Sequence, residues 1–276
     1  MVVAKKSLGQ HFLTDESFLD QIVNALPPLN QLKLIEIGVG LGDLTCKMLD
    51  LYPLKTYEID DELCECMRAR LEREKRHFPL ELVQQDALFL KEKEPYFLIS
   101  NLPYYIATRL VLNALKDPKC RGLLVMTQKE VALKFCAKEN SQNALSVLAS
   151  AVGNATLLFD VPPSAFSPPP KVFSSVFQVI KEHSKEDTLA HLGQKGVLEK
   201  VDFDKALVLG FDRLEDFLKA CFMAPRKTLS NNLKKSVSYQ EKLAKVLEFL
   251  ELEGQPQSVR ASEIKDYLKL LDFILD

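Results

Sequence analysis

Up to about residue 182, short apolar β-rich runs alternate with stretches of helical periodicity. Lys33–Ile37 reads as a strand that ends at glycines, and Leu54–Ile59, Leu80–Val83, Tyr96–Ser100 and Leu123–Thr127 read as further strands. Between them, Asp43–Asp50 sets Leu44, Met48 and Leu51 on one side, and Asp60–Arg76 is a charged amphipathic helix. Helical patterns at Tyr105–Leu115, Lys129–Lys138 and Ala144–Val152 fill the remaining gaps. Such alternation implies βαβ units: an α/β fold, Rossmann-like, with a mostly parallel sheet and helices on both faces. Ala155–Val161 and Phe173–Ile180 are joined by the proline-rich Pro162–Pro170 with no helix between them, so an antiparallel pair at one sheet edge is expected.

Beyond Lys181 the pattern changes. A polar stretch reads as a linker, and four helical segments follow at Phe211–Phe222, Pro225–Lys235, Gln240–Leu250 and Ser262–Leu275. Pro225 suits a first helical position and Ser262 an N-cap. The expected division is a first domain over residues 1–182 and a small all-α domain over 188–276.

The composition fits this picture. A chain of 276 residues has a prior of two domains, and 47% hydrophobic with 27% charged residues excludes disordered, collagen-like and coiled-coil classes. The longest uncharged run, Asn140–Phe159, is interrupted throughout by polar residues, and the N-terminus has no apolar signal core. A cytoplasmic protein without a membrane segment is expected. The six cysteines contain no C-x-x-C pair, and His11, His77, His183 and His191 form no i, i+4 pair, so no metal is expected. A net charge of -2 argues against a nucleic-acid partner, but local clustering matters more than the sum. From Phe217 to Gln240 the chain carries Lys219, Arg226, Lys227, Lys234 and Lys235 with no acid. Lys5, Lys6 and Lys171 also lie in stretches of low acidity. A phosphate-binding surface and a merely solvated helix face fit these cations equally well.

The chemistry gathers at strand ends. Glu36-Ile37-Gly38-Val39-Gly40-Leu41-Gly42-Asp43 lies between a strand and a helix, where glycines let the backbone approach a ligand. A dinucleotide fingerprint would want glycine at position 43; Asp43 disfavours a pyrophosphate cradle. A plain tight turn is the bland alternative. Glu58 ends the second strand, where such folds grip ribose hydroxyls, and Asp86 follows the third, where it could accept from an exocyclic amine. Together they favour a nucleoside cofactor without phosphates.

The fourth strand ends in Ser100-Asn101-Leu102-Pro103-Tyr104. Asn101 can offer a side-chain carbonyl, and Leu102 a main-chain carbonyl held extended by Pro103. Two acceptors are what a nucleobase amine needs to become nucleophilic. Bonds from both its protons draw the nitrogen toward tetrahedral geometry and free its lone pair. Tyr104 adds a stacking face worth about 1–3 kcal/mol. A proline turn with a half-buried tyrosine is the alternative.

These segments jointly resemble the class I methyltransferases that modify adenine N6. Lys6-Ser7-Leu8-Gly9-Gln10-His11-Phe12-Leu13 and Phe166-Ser167-Pro168-Pro169-Pro170-Lys171-Val172 narrow the resemblance to the small-subunit (16S) rRNA adenine-N6 dimethyltransferase family. It covers most of residues 5–180 and extends through Arg226-Lys227-Thr228-Leu229. The resemblance implies S-adenosyl-L-methionine as cofactor and dimethylation of two adjacent adenosines near the 3′ end of 16S rRNA within the immature small ribosomal subunit, by a monomer. It implies that His11 and Leu13 cover the cofactor, that Gly38 and Gly40 lie beneath it, that Glu58 holds the ribose and that Asp86 holds the adenine amine. Asn101, Leu102, Pro103 and Tyr104 would form the catalytic segment, with Phe166 completing an aromatic clamp. Lys171, Arg226 and Lys227 would contact rRNA phosphates. Large-subunit rRNA or DNA adenine-N6 methylation is the rival expectation. The chain departs from the family at Val39, where proline is usual, at Ala224-Pro225, which replaces an arginine-rich stretch, and in its overall acidity.

Overall fold

A computed structural model of the chain describes residues 5, 10–74, 76, 78–138, 141–181 and 203–275. The expected linker beyond Lys181 and the motif residues 6–9 fall outside the described residues. The central sheet has seven strands: β2 (Lys33–Ile37), β3 (Leu54–Glu58), β4 (Leu80–Gln84), β5 (Tyr96–Asn101), β6 (Cys120–Gln128), β7 (Asn154–Val161) and β9 (Ser174–Ile180). Their order is β4-β3-β2-β5-β6-β9-β7, parallel through β6, with β9 antiparallel to β6. A separate two-stranded pair joins β1 (Phe12–Leu13) to β8 (Phe166–Ser167). Parallel strands covered on both faces read as continuous apolar runs, and Leu34, Ile35, Leu98 and Ile99 are all essentially buried.

The helices α1 (Glu16–Asn24), α2 (Asp43–Leu49), α3 (Asp61–Arg73), α4 (Ala107–Lys116), α5 (Lys129–Phe135) and α6 (Ala144–Val152) connect these strands. Helix α1 is an addition to the elements expected from sequence; Asp15 caps it by accepting the Ser17 N–H at 2.9 Å. Helix α2 stops at Leu49, which leaves Leu51 in a turn and half exposed.

The chain order reverses at β2: β3 and β4 lie on one side of it and β5 and β6 on the other. Open α/β sheets bind ligands outside the carboxyl ends of the strands at such a switch point. Here that places the ends of β3, β2 and β5 side by side, and Gly38 N–H donates to the Tyr57 carbonyl at 2.8 Å.

A second compact unit holds the helices α7 (Phe203–Cys221), α8 (Leu229–Leu233), α9 (Leu243–Leu252) and α10 (Tyr267–Leu275), and residues 116–118 and 134–155 group with it. Its core includes Phe211, Phe217, Leu233, Val246 and Leu270. Two expected helix starts are corrected. Pro225 sits in a turn, and α8 begins at Leu229 with Thr228 as its cap, accepting the Asn231 N–H at 3.2 Å. Asp266, not Ser262, caps α10, accepting from Leu268 and Lys269 at 3.0 and 2.8 Å.

Candidate active site

A cleft of about 820 Å³, counting its open mouth, lies at the switch point. The β2 end and the glycine loop form its floor. Gly38 has φ +81, and a side chain added there would meet nothing within 4 Å, so this backbone faces open space that a ligand can fill. Gly40 has φ +54, and an added Cβ would lie 3.3 Å from the Phe12 ring. Asp43, where a dinucleotide fold would need glycine, accepts from Arg70 Nη1 at 2.8 Å, and the same nitrogen donates to the Leu41 carbonyl at 2.8 Å. The loop is therefore pinned from α3.

Two buried acids line the cleft. Glu58 is 6% exposed, and its Oε1 accepts the Ile59 and Asp60 N–H groups at 2.8 and 2.9 Å. Burial raises its pKa, against the opposing pull of the amides of Asp60, Ile59 and Gly40. Glu36 is 1% exposed and accepts from Thr45 Oγ1 at 2.7 Å. Burial pushes its carboxyl up to about 8 although the Thr45 hydroxyl pulls the other way. The sequence reading gave Glu36 no role of its own. An acid inside a strand that reads as buried on both faces is the signal that could have found it.

Asn101 closes β5. Its Nδ2 donates to the His11 carbonyl at 3.2 Å, which leaves Oδ1 without a donor among the described residues and free to accept. Leu102 is buried and gives its N–H to Met126 at 3.0 Å; its carbonyl likewise has no donor among the described residues. The Tyr104 hydroxyl meets Ser174 Oγ at 2.6 Å, and its ring stacks on His11 with centroids 5.6 Å apart. His11 Nδ1 lies 2.8 Å from the Pro168 carbonyl.

The structure brings His11, Leu13, Gly38, Gly40, Glu58, Asn101, Leu102, Pro103 and Tyr104 to this one cleft. It does not bring every expected residue there. Phe166 is 4% exposed, packs in the hydrophobic core, pairs with Leu13 across β1–β8 and is not among the residues that line the cleft. Asp86 uses Oδ1 to cap the short helix Ala87–Phe89, accepting the Leu88 N–H at 2.9 Å, and is not part of the lining. Its charge does reach Tyr105, which lines the mouth. Lys171, Arg226 and Lys227 are exposed.

The donor set suits a nucleoside ligand. Acceptors dominate, and bare backbone faces the space above Gly38. Among the described residues, no group of three His, Cys, Asp or Glu could hold a metal ion, and no helix is long and apolar enough to cross a membrane.

Sheet order, glycine loop and acid-lined switch point together define a class I methyltransferase. The sequence pattern of ribosomal RNA adenine dimethylases matches residues 1–192, and the chain belongs to that family. It is 80% identical over 275 residues to the ribosomal RNA small subunit methyltransferase A of Helicobacter pylori strain G27, covering 100% of this chain and 99% of the relative. The protein of the same name from Campylobacter jejuni strain RM1221 is 42% identical over 285 residues, covering 100% of this chain and 97% of the relative. In fold, the chain resembles a dimethyladenosine transferase from Plasmodium falciparum, with TM-score 0.70, 23% identity and 96% of each chain covered. It also resembles a 23S rRNA methyltransferase, with TM-score 0.68, 21% identity, and 96% of this chain and 100% of the other covered.

Proposed function

We infer that the chain is an S-adenosyl-L-methionine-dependent rRNA adenine-N6 dimethyltransferase acting on small-subunit 16S rRNA. Family membership and the 80% identical relative support the substrate class. The observation that carries the chemistry is the tethered amide of Asn101: with Nδ2 tied to the His11 carbonyl, Oδ1 is the end left to accept a proton from a base. The Leu102 carbonyl provides the second acceptor, and two acceptors on one amine are what expose its lone pair.

When bound, S-adenosyl-L-methionine supplies an already activated methyl group. What the chain adds is mostly positioning. Glu58, fixed by the turn that follows it, is offered to ribose hydroxyls, and Gly38 and Gly40 let the loop lie close under the ligand. Tyr104 stacks on an adenine taken out of its helix. No side chain at Asn101-Leu102-Pro103-Tyr104 acts as a base, and none is needed, because a methylated ammonium loses its proton readily to water. Phe166 supports the site through β8, whose pairing holds Leu13 in the cleft wall. Asp86 serves the adenine amine from the mouth.

Residues 1–182 are the catalytic domain in this reading, and residues 188–276 recognise RNA. Lys171, Arg226 and Lys227 contact phosphates of the immature small subunit; the protein works as a monomer in the cytoplasm. The run from Phe217 to Gln240 carries no acid, and Arg226 and Lys227 are exposed, which supports a site for an anion. The test offers purified immature small subunits, large-subunit rRNA and duplex DNA with labelled cofactor, followed by mass spectrometry. Dimethyladenosine in the small-subunit RNA is the expected result. Label chiefly in large-subunit RNA or in DNA overturns the assignment.

A further inference from the structure

The cleft has a second wall besides the sheet edge: Gln10, His11, Phe12 and Leu13 line it from the N-terminal side. This segment is fastened at one end by β1–β8 pairing and by the Asn101 bond to the His11 carbonyl. At its other end, among the described residues, the fastening centres on one buried carboxylate, Asp60, with Glu62 Oε2 a second, exposed partner of Lys5 Nζ at 3.4 Å. Asp60 Oδ1 accepts from Lys5 Nζ at 2.7 Å, and Oδ2 accepts from Gln10 Nε2 at 2.9 Å. Gln10 Oε1 in turn accepts the Lys5 N–H at 2.8 Å, so both ends of that amide are committed. The Asp60 side chain is 1% exposed, although its ion-pair partner Lys5 is 36% exposed.

Asp60 is not itself part of the cleft lining, but its backbone is tied to a residue that is. Its own N–H donates to Glu58 Oε1 at 2.9 Å, so the acid offered to ribose and the latch on the N-terminal segment share one turn. A helix cap alone would explain only the bond from the Glu62 N–H at 3.1 Å. It explains neither the half-buried ion pair to Lys5 nor the glutamine held across 50 residues of sequence.

We propose that Asp60 is a positioning residue, the latch that holds Gln10–Leu13 over the cofactor cleft, and that it governs how tightly cofactor is retained between turnovers. The proposal rests on the cofactor reading above. Dimethylation of two adenosines requires spent cofactor to leave and fresh cofactor to enter repeatedly, and the Gln10–Leu13 wall flanks the space through which that exchange passes. A latch made of side-chain ion pairs and a side-chain hydrogen bond can release without unfolding the sheet.

The test uses the full chain and reads binding and motion as well as turnover. In Asp60→Ser the hydroxyl still caps α3 but reaches neither Lys5 nor Gln10. Its dissociation constants for S-adenosylmethionine and S-adenosylhomocysteine, measured by calorimetry, should rise about tenfold. In the ligand-free protein, amide hydrogen exchange over residues 10–13 should quicken while exchange within α3 stays as in wild type. The cofactor KM should rise with the dissociation constant while kcat at saturation holds within about threefold. Lys5→Ala, which leaves the carboxylate and its cap in place, should produce the same pattern at smaller amplitude. Unchanged binding and exchange in both variants overturn the latch while leaving the cofactor reading intact. Equal acceleration of exchange in α3 overturns it as well, because Asp60 would then be only a cap. Failure of the wild-type chain to bind either ligand overturns the cofactor reading and the latch together.

Discussion

The cleft and the turn before α8 treat charge in opposite ways. At the cleft and the turn beside it, acids are buried and their neighbours are backbone amides, a hydroxyl or a lysine, as at Glu58, Glu36 and Asp60. Elsewhere, Lys33, Lys47, Lys55, Lys116, Lys129 and Lys269 each sit in an ion pair. At the turn and the end of α8, Arg226, Lys227, Lys234 and Lys235 have no acidic partner among the described residues. They hang from a rigid mount: Asn232 is 1% exposed, donates to the Cys221 and Ala224 carbonyls at 2.7 and 3.1 Å, and accepts the Ala224 N–H at 3.2 Å. Lys219, which the sequence window grouped with them, pairs instead with Glu215 at 2.9 Å and Asp216 at 3.3 Å. A net charge of -2 thus conceals a local cationic site. In the proposed function, one region fixes a small ligand and a base and the other meets a polyanion.

If the two regions divide the work this way, damage to one should spare the other. Asn101→Ala removes the side-chain acceptor and should lower methyl transfer about 10³-fold, with RNA affinity within about twofold of wild type; initial rates and filter binding measure both. Equal loss of both would merge the two functions. Glu58→Gln should weaken S-adenosylmethionine binding about tenfold in calorimetry without altering RNA affinity.

Glu36 connects the cleft to stability. Its folded pKa, about 8, lies above the ordinary 4.5, so the folded chain holds that proton more tightly than the unfolded chain. The contribution is complete below about pH 4.5 and is lost as pH rises through 8. Melting curves at pH 6 and 9 should show a clear fall in Tm for the wild type and a flatter response for Glu36→Gln. The smallest effects belong to the basic turn. Lys227→Ala and Lys235→Ala should each weaken RNA binding a fewfold and reduce the salt slope by about one, with methylation at saturating RNA unchanged.

Much of this was legible in the sequence because parallel strands announce themselves as apolar runs and because Gly38, Glu58 and Asn101 stand at strand ends. Strands β1 and β8, two residues each, are too short to show alternation, yet their pairing sets the N-terminal wall of the cleft. Helix α1 had a readable cap in Asp15 and a readable apolar spacing in Leu19 and Ile22. Phe166 shows the other limit: the resemblance implied an aromatic clamp, whereas its side chain packs in the hydrophobic core and is not part of the cleft lining. The Asp60 latch was illegible because its partners are 50 and 55 residues away in sequence.

The central claim is that Asn101 and Leu102 present two acceptors to one adenine amine. It is tested most directly by a crystal structure of the chain with S-adenosylhomocysteine and an adenosine-bearing RNA fragment. The account predicts N6 within about 2.7–3.2 Å of both Asn101 Oδ1 and the Leu102 carbonyl, with the base against Tyr104. An adenine seated in the cleft whose N6 meets neither oxygen would contradict it.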